Sequence, residues 1–535
     1  MARHITLYDT TLRDGTQAEN VNLSLEDKIR VSHKLDQLGL DFIEGGWPGA
    51  NPLSEEYFQR MKGETLHHAR LAAFGSTRHF RNRPEKDDNL RALVSAGVPV
   101  ITIFGKSWDI HVTEALQIGL NDNLTIIEDS LAWLRPQCET LVYDAEHFFD
   151  GFKNNRDYTL QTLRAAMSGG ADFLVLCDTN GGTLPHELPE IIGQVQRLVV
   201  DSGKAVKLGI HTHNDSEAAV ANSLLALSLG CDQVQGTING YGERCGNANL
   251  TSIIPAVVGK LGLDCAAAQR LDQLYSVSRY VNELANLPQN RYQPYVGESA
   301  FAHKGGIHVS AVKRNPQTYE HIEPERVGNF RRILLSDQAG RANLLYKARQ
   351  WGIDIAEDDP VLYQLVADLK ERENQGYMFE GAEASFELLM RRALGILPEY
   401  FHLIEFRVMN HKYRIHKRPY TEATVRIAVG SKLVDGKPVG GTETHTVAKG
   451  DGPVNALDRA MRLALKDSYP ALEDVSLRDY KVRVLTGEHG TEARVRVLIE
   501  SGDRFSTWGT VGASVDIIEA SWQALADSIT YKLMK

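Results

Sequence analysis

Residues 211–215 read His-Thr-His-Asn-Asp and follow directly on an apolar run at 206–210. Side chains at i and i+2 of a strand point to the same side, so His211 and His213 would bring two imidazoles to one point at the strand's end. Such a pair suits a divalent metal, whose chemistry would be Lewis-acid activation of a bound oxygen. An isolated H-x-H is also the mark of two histidines hydrogen-bonded near a strand end, and the pair alone leaves both readings open. Other strand ends carry similar groups. The first run leads to Arg13-Asp14-Gly15, which is either a turn capped by an aspartate or a carboxylate ligand beside a fixed cation. Glu44 closes an apolar Phe-Ile run, a costly place for a carboxylate without a partner. Glu146-His147, the stretch Cys-Asp-Thr-Asn-Gly-Gly at 177–182 and Gly-Tyr-Gly-Glu-Arg-Cys-Gly-Asn at 240–247 close or follow further runs. One site accounts for these polar strand ends more economically than separate structural reasons.

The elements that would position these groups are short runs at 5–8, 42–45, 71–74, 98–104, 140–144, 173–177, 206–210 and 233–238. They are rich in Val, Ile, Leu and Phe without strict alternation, as parallel strands buried on both faces are. Helical patterns at 25–38, 87–96, 121–134 and 160–167 lie between them. Eight such strands predict an α/β fold, a (β/α)8 TIM barrel over 1–275, whose active site forms at the strands' C-terminal ends. A doubly wound open sheet would carry a Gly-rich turn after the first strand, and residues 9–14 contain none. Helical runs at 337–350 and 360–373 predict a helical connector over 276–400. Strand patterns at 403–408, 423–429, 481–485 and 493–500, with helices at 453–467 and 515–533, predict a C-terminal α+β domain over 401–535. The stretch at 450–458 echoes that at 511–519, which predicts a duplicated sheet–helix unit; coincidence between two helix starts is the alternative. Two such helix N-termini, near Pro453 and Val515, would offer backbone N–H groups to a carboxylate.

The chain has 535 residues, 42% of them apolar and 24% charged, with 59 basic and 69 acidic side chains and a net charge of −10. That balance argues against a nucleic-acid partner. No run of about 18 apolar residues exists, so no membrane partner is expected. The five cysteines, at 138, 177, 231, 245 and 265, form no C-x-x-C and read as a reduced set. With no targeting segment at the N-terminus, a cytoplasmic location is expected. Gly240-x-Gly242 lacks the third glycine of a dinucleotide fingerprint, and neither a phosphate-binding G-x-x-x-x-G-K-S/T nor a G-x-S-x-G elbow occurs.

Taken together, Leu7-Tyr-Asp-Thr-Thr-Leu-Arg-Asp-Gly-Thr-Gln17, His211-x-His213-Asn-Asp and Gly242-Glu-Arg-x-Gly-Asn247 resemble the 2-isopropylmalate, homocitrate and citramalate synthase family. These are barrel enzymes that condense acetyl-CoA with a 2-oxo acid. Residues 450–456 and 517–528 resemble that family's regulatory domain, so the likeness spans nearly the whole chain. The stretch at 42–52 is most similar to the long citramalate synthases. The resemblance implies Asp14, His211 and His213 as ligands of Mg²⁺, Mn²⁺ or Zn²⁺, with Asn247 a further, weaker or alternative one. It implies Arg13 at the developing alkoxide, Thr179 on the substrate carboxylate and Glu44 in the 2-oxo acid pocket. Glu146 and His308 are the candidate bases, and His308 and Tyr319 would lie over the partner subunit's barrel. It further implies a homodimer, acetyl-CoA and pyruvate as substrates (2-oxoisovalerate being the alternative acceptor), and isoleucine as effector. Asp144 stands where relatives often carry Ser or Tyr, and an inward Trp47 would narrow the pocket. A lyase on the same barrel would lack the C-terminal domain, an amidohydrolase would carry its H-x-H on the first strand, and an amino-acid sensor with a dead barrel would not retain the full ligand set.

Overall fold

A computed structural model describes residues 2–334, 341–412, 420–434, 437–485 and 493–535. The chain divides into two compact units, one of residues 1–301 and 321–331, the other of 302–320 and 332–535.

In the first unit eight parallel strands close into a barrel in sequence order. They are β1 (Thr6–Asp9), β2 (Phe42–Gly46), β3 (Arg70–Ser76), β4 (Val100–Lys106), β5 (Thr140–Glu146), β6 (Phe173–Asp178), β7 (Lys207–Thr212) and β8 (Gln233–Gly236). β1 pairs with both β2 and β8, which closes the ring. The sequence reading stops most strands at their first polar residue. The ladder runs on through Lys106, Glu146, Asp178 and Thr212, because a barrel strand keeps its hydrogen bonds while its last side chains turn toward the mouth. β8 is shorter than expected, since residues 238–240 form a helical turn.

The first helix, α1 (Leu25–Leu38), illustrates how the outer layer is specified. Ser24 and Asp27 form a reciprocal capping box, and Gly39 ends the helix in the left-handed region at φ +90°. Ile29, Ser32, Leu35, Asp36 and Leu38 recur at helical spacing and are buried against the barrel. Asp36 is the polar member of that face. Its carboxylate accepts hydrogen bonds from the backbone N–H groups of His67, His68 and Ala69 at 2.9, 2.7 and 2.7 Å, which pins the entry to β3. The barrel interior holds a separate apolar cluster of Tyr8, Phe42, Val100, Val142, Phe173 and Val175.

In the second unit two-residue strands β9 (Ala302–His303) and β10 (Arg332–Ile333) pair in parallel, and helices at Gly306–Arg314, Arg341–Gln350, Pro360–Asn374 and Glu383–Ala393 follow in chain order. Residues 337–340 of the expected helix lie outside the described residues. The C-terminal segment contains two three-stranded antiparallel sheets. The first is β11 (Phe401–His411), β12 (Tyr420–Val429) and β15 (Thr442–Gly450), with a small hairpin of β13 (Lys432–Val434) and β14 (Lys437–Val439) between the last two. The second is β16 (Ser476–Val484), β17 (Val495–Gly502) and β18 (Thr507–Ser514). A helix closes each, at Pro453–Leu465 and Ile517–Met534, and both pack into one core around Ile427, Leu457, Met461, Ile499, Trp508 and Leu525.

The sequence reading lacks β15 and β18. β15 is mostly Thr, Glu, His and Lys with its polar face exposed, and β18 carries two glycines, which ordinarily weaken a strand. The second of them, Gly512, is where the backbone of Ala520 in the closing helix comes so near that a Cβ would collide with its carbonyl oxygen. The two helix N-termini are not alike. Gly452 leaves the first without a side-chain cap, whereas Asp516 caps the second by accepting from the N–H groups of Ile518 and Glu519.

Burial alone would raise the Asp36 carboxyl, but the three N–H donors outweigh it and hold its pKa below the ordinary value. Its stabilisation is therefore fully present above the unfolded pKa and is lost as pH falls through the depressed one. Replacement by Ala strands three donors and should cost about 2–3 kcal/mol. The measurement is the melting temperature of Asp36→Ala against wild type at pH 7 and at pH 3, with the difference shrinking at the lower pH.

Candidate metal centre and active site

β7 ends at the barrel mouth, and His211 and His213 leave it on the same side with both residues buried. Their Nε2 atoms are 3.2 Å apart. Asp14 Oδ2 lies 3.5 Å from His211 Nε2 and 3.9 Å from His213 Nε2. Ligands held at about 2.0–2.2 Å around one ion stand roughly 3–3.6 Å from one another, so these three donors have nearly the spacing of a single coordination shell. Among the described residues they are the one group of three acidic, His or Cys side chains whose ligand atoms converge. Asn247 adjoins them: its Nδ2 donates to Asp14 Oδ2 at 2.8 Å, while its Oδ1 is buried with no hydrogen-bond partner. An acidic oxygen and two imidazole nitrogens converging in a buried site fit a divalent cation.

Local structure explains how these residues meet. The segment at 246–248 runs antiparallel to that at 212–214, through Asn214 N–H to Gly246 O at 2.8 Å and Ala248 N–H to Thr212 O at 2.9 Å. Gly242 lies against the Asn247 side chain, where a Cβ would collide with Oδ1. The loop bearing Arg13 and Asp14 is tied from below by Lys28 of α1, whose Nζ donates to Leu12 O at 2.8 Å. Burial lowers that ammonium's pKa to about 8.

The electrostatics are dominated by burial and charge pairing. Burial alone would raise the Asp14 carboxyl, but Arg13, His211 and His213 outweigh it and hold the pKa at about 2. Burial, with His211 next to it, lowers the His213 pKa to about 3, and burial lowers that of His211 as well. The centre is thus a carboxylate with two neutral imidazoles, the protonation states that bind metal. Arg13 donates from Nε to Glu44 Oε1 at 2.6 Å and lies over the Phe74 ring at 3.8 Å. Burial disfavours its charge, but Glu44 and Asp14 more than compensate, so the guanidinium stays ionised.

A cavity of about 220 Å³ opens above this centre. Arg13, Asp14, His211, His213, Glu146 and Thr179 line it, as expected for one site. Asn247 stands at its edge through Asp14. Glu146 forms an ion pair with Lys106. Thr179 Oγ1 accepts from the His147 N–H at 2.8 Å, which leaves its own hydroxyl hydrogen to donate. Glu44 does not line the cavity. It is fully buried beneath Arg13, held also by the Tyr8 hydroxyl at 2.8 Å. His308 and Tyr319 are not among the residues gathered here; they lie in the second unit, stacked on each other with centroids 4.2 Å apart.

Trp47 does face inward. Its Nε1 donates to Asn89 Oδ1 at 2.7 Å, and its ring meets Phe74 and Phe104 edge-on at 5.9 and 5.6 Å. The sequence reading passed over Tyr8, Phe74, Phe104, Lys106 and Arg244. Arg244 clamps Asp215 and the Thr179 carbonyl at the rim. Tyr8 and Arg244 stand in the quoted motifs, and Lys106 is a cation at a strand end like the others.

Three family models match the chain. One described as HMGL-like covers residues 4–281, one described as homocitrate synthase post-HMGL domain-like covers 295–376, and the LeuA allosteric (dimerisation) domain covers 380–533. An (R)-citramalate synthase of Geobacter sulfurreducens is 55% identical over 99% of this chain and 98% of its own length. The chain belongs to the citramalate synthase family. A second member, from Aquifex aeolicus, is 52% identical over 100% of this chain and 99% of its own. A probable 2-isopropylmalate synthase of Methanopyrus kandleri is 32% identical over 99% of this chain, so the citramalate synthases are the nearer group. Membership of this family makes the protein an enzyme.

His213 sits just past the end of β7 with its Nε2 turned to the cluster rather than into the apolar core. His213→Ala should abolish divalent-ion binding measured by calorimetry and turnover with it, while the melting temperature of the metal-free protein changes little. Near-normal ion affinity in the mutant would remove His213 from the centre.

Proposed function

We propose that this enzyme condenses acetyl-CoA with pyruvate and water to give (R)-citramalate and CoA. The observation that carries the reading is a convergent Asp–His–His set beside a charged arginine, at the floor of a cavity small enough for a short 2-oxo acid. Mg²⁺ or Mn²⁺ is the proposed ion, with Zn²⁺ also suited to the mixed N/O donors. Held by Asp14, His211, His213 and Asn247, it would polarise the keto carbonyl of pyruvate.

The chain's own groups supply the rest. Arg13 is held rigid by Glu44 and Phe74 and faces the oxygen on which negative charge develops, so little reorganisation is needed. Thr179 donates its hydroxyl hydrogen to the substrate carboxylate. A thioester methyl proton is too weakly acidic for solvent to remove quickly, so a placed base is required. Glu146 lines the cavity and takes that proton in this reading. The methyl carbon then bonds to the keto carbon, and the resulting alkoxide is protonated. Water next attacks the thioester carbonyl, and CoA leaves as the thiol. Glu44 acts through Arg13 rather than on the substrate. His308 and Tyr319, on the family resemblance, serve the barrel of a partner subunit in a homodimer. With no helix among the described residues long and apolar enough to cross a membrane, a cytoplasmic enzyme is the proposed setting.

The direct test is release of free thiol from acetyl-CoA with a panel of 2-oxo acids. Trp47, Phe74 and Phe104 wall the cavity, so pyruvate should exceed 2-oxoisovalerate in kcat/KM by at least about tenfold, a cost of about 1.4 kcal/mol for the branched chain. Comparable values would make the enzyme an isopropylmalate synthase or a promiscuous one. Subunit mixing tests the dimer. His308→Ala and Asp14→Asn, each inactive alone, should regain part of the activity when mixed under exchange, because one site of the hybrid then carries neither lesion.

Isoleucine is the proposed effector, acting at the C-terminal domain. Of its two helix N-termini, the one at Gly452–Pro453 has no side-chain cap and offers free N–H groups to a carboxylate. Turnover of the full chain should fall with isoleucine, with leucine and valine as controls, without competition against pyruvate. No effect and no binding in calorimetry would make the domain purely structural.

A further inference from the structure

Inside the barrel, reaching the cavity through Asp144, lies a polar chain that the proposed reaction does not use. β8 turns Gln233 and Gln235 inward, and both are fully buried. Gln235 Oε1 lies 2.9 Å from His211 Nδ1, and its Nε2 donates to Asp144 Oδ1 at 3.0 Å. The same Nε2 stands 3.5 Å from Gln233 Oε1. In this rotation the amide nitrogen faces both of those oxygens and the amide oxygen faces His211. The oxygen end is therefore the one presented to His211, and Nδ1 must carry the hydrogen that it accepts. A neutral imidazole has one N–H, so the lone pair is left on Nε2, the atom aimed at Asp14 and His213.

We propose that Gln235 is a positioning residue for the metal centre, fixing the tautomer and rotation of His211, with Asp144 anchoring its amide from the opposite wall of the barrel. His213 has no such support, since its Nδ1 is buried without a partner among the described residues. His211 is thus the preorganised ligand of the pair. Asp144 spans the barrel from β5 to reach β8, which gives a carboxyl at this position a reason that the substrate alone does not supply. Outer partners of a ligating histidine typically contribute 10–100-fold in metal affinity. The inference rests on the reading of Asp14, His211 and His213 as a metal site.

The test is titration of the metal-free protein with Mn²⁺ by calorimetry, for wild type, Gln235→Leu, Gln235→Glu, Asp144→Ala and His213→Ala. Leu fills a similar volume but accepts nothing, and Mn²⁺ binding should weaken by about 10–100-fold. Glu keeps an acceptor for Nδ1–H but turns a second oxygen toward Asp144 Oδ1, so it should lose clearly less affinity than Leu without matching wild type. Should Gln235→Leu fail to fold, Asp144→Ala frees the amide to rotate and should itself weaken binding several-fold. Binding that is lost in His213→Ala but unchanged in Gln235→Leu or Asp144→Ala overturns the role of Gln235 alone. Equal losses in the Leu and Glu variants also overturn it, because packing and not the hydrogen bond would then be responsible. Binding unaffected by His213→Ala as well overturns the metal reading beneath it.

Discussion

Glu44 is a carboxylate with no exposed surface inside a closed barrel, and the catalytic face is arranged around neutralising it. A lone ionised carboxylate there would cost several kcal/mol. Arg13 meets it at 2.6 Å from the loop after β1, and Tyr8 satisfies the second oxygen. That pairing draws the β1 loop over the barrel's end, and Asp14, the next residue, is thereby set beside His211. Removing either partner would leave the other charge buried, so the pair acts as a register pin for the loop. A buried ion pair adds little net stability, and its value here lies in placing Asp14 and a rigid cation at one point.

The barrel interior is graded to suit. Near its base it is apolar, with Phe42, Val100, Val142, Phe173 and Val175 filling it. Above them come Thr102, Asp144, Gln233 and Gln235, and then the ligands at the mouth. Polar groups in this layer are hydrogen-bonded across strands distant in sequence, as Tyr8 is to Thr102 and Gln235 to Asp144. Burial and the negative charge of Glu44 raise the Asp144 pKa to about 8, so near neutral pH the carboxyl is largely protonated and adds little charge to the interior. The interior gives up apolar packing for a hydrogen-bonded network beneath Asp14, His211 and His213, the kind of local departure from a well-packed core expected at functional sites.

The C-terminal domain applies a different constraint. Each of its sheets has three strands and one helix, and neither half keeps a separate core. Both helices and both inner faces contribute to a single cluster, so the two units stabilise one another. Such mutual dependence is a suitable basis for a domain that responds to a ligand, since a shift in one unit alters the packing of the other.

Much of this was legible in the sequence because it is local. Hydrophobic periodicity set the eight barrel strands to within a residue or two, and α1 to the residue, since burial on both faces and capping are written in neighbouring side chains. Asp14, His211, His213, Arg13, Glu146 and Thr179 were visible as polar residues closing apolar runs. Tertiary structure alone decided which of these face one cavity. It left Glu44 out of the cavity lining as the counter-ion of Arg13, placed His308 and Tyr319 in a separate unit, and brought in Tyr8, Lys106, Gln235 and Arg244. β15 and β18 were hidden for the same reason. Their strand identity comes from pairing with β12 and β17, and from Gly512 admitting a helix backbone, not from their own composition. A residue's type and neighbours determine what it can do, but which groups meet across a closed barrel depends on strand register and closure, quantities that no single segment of chain contains.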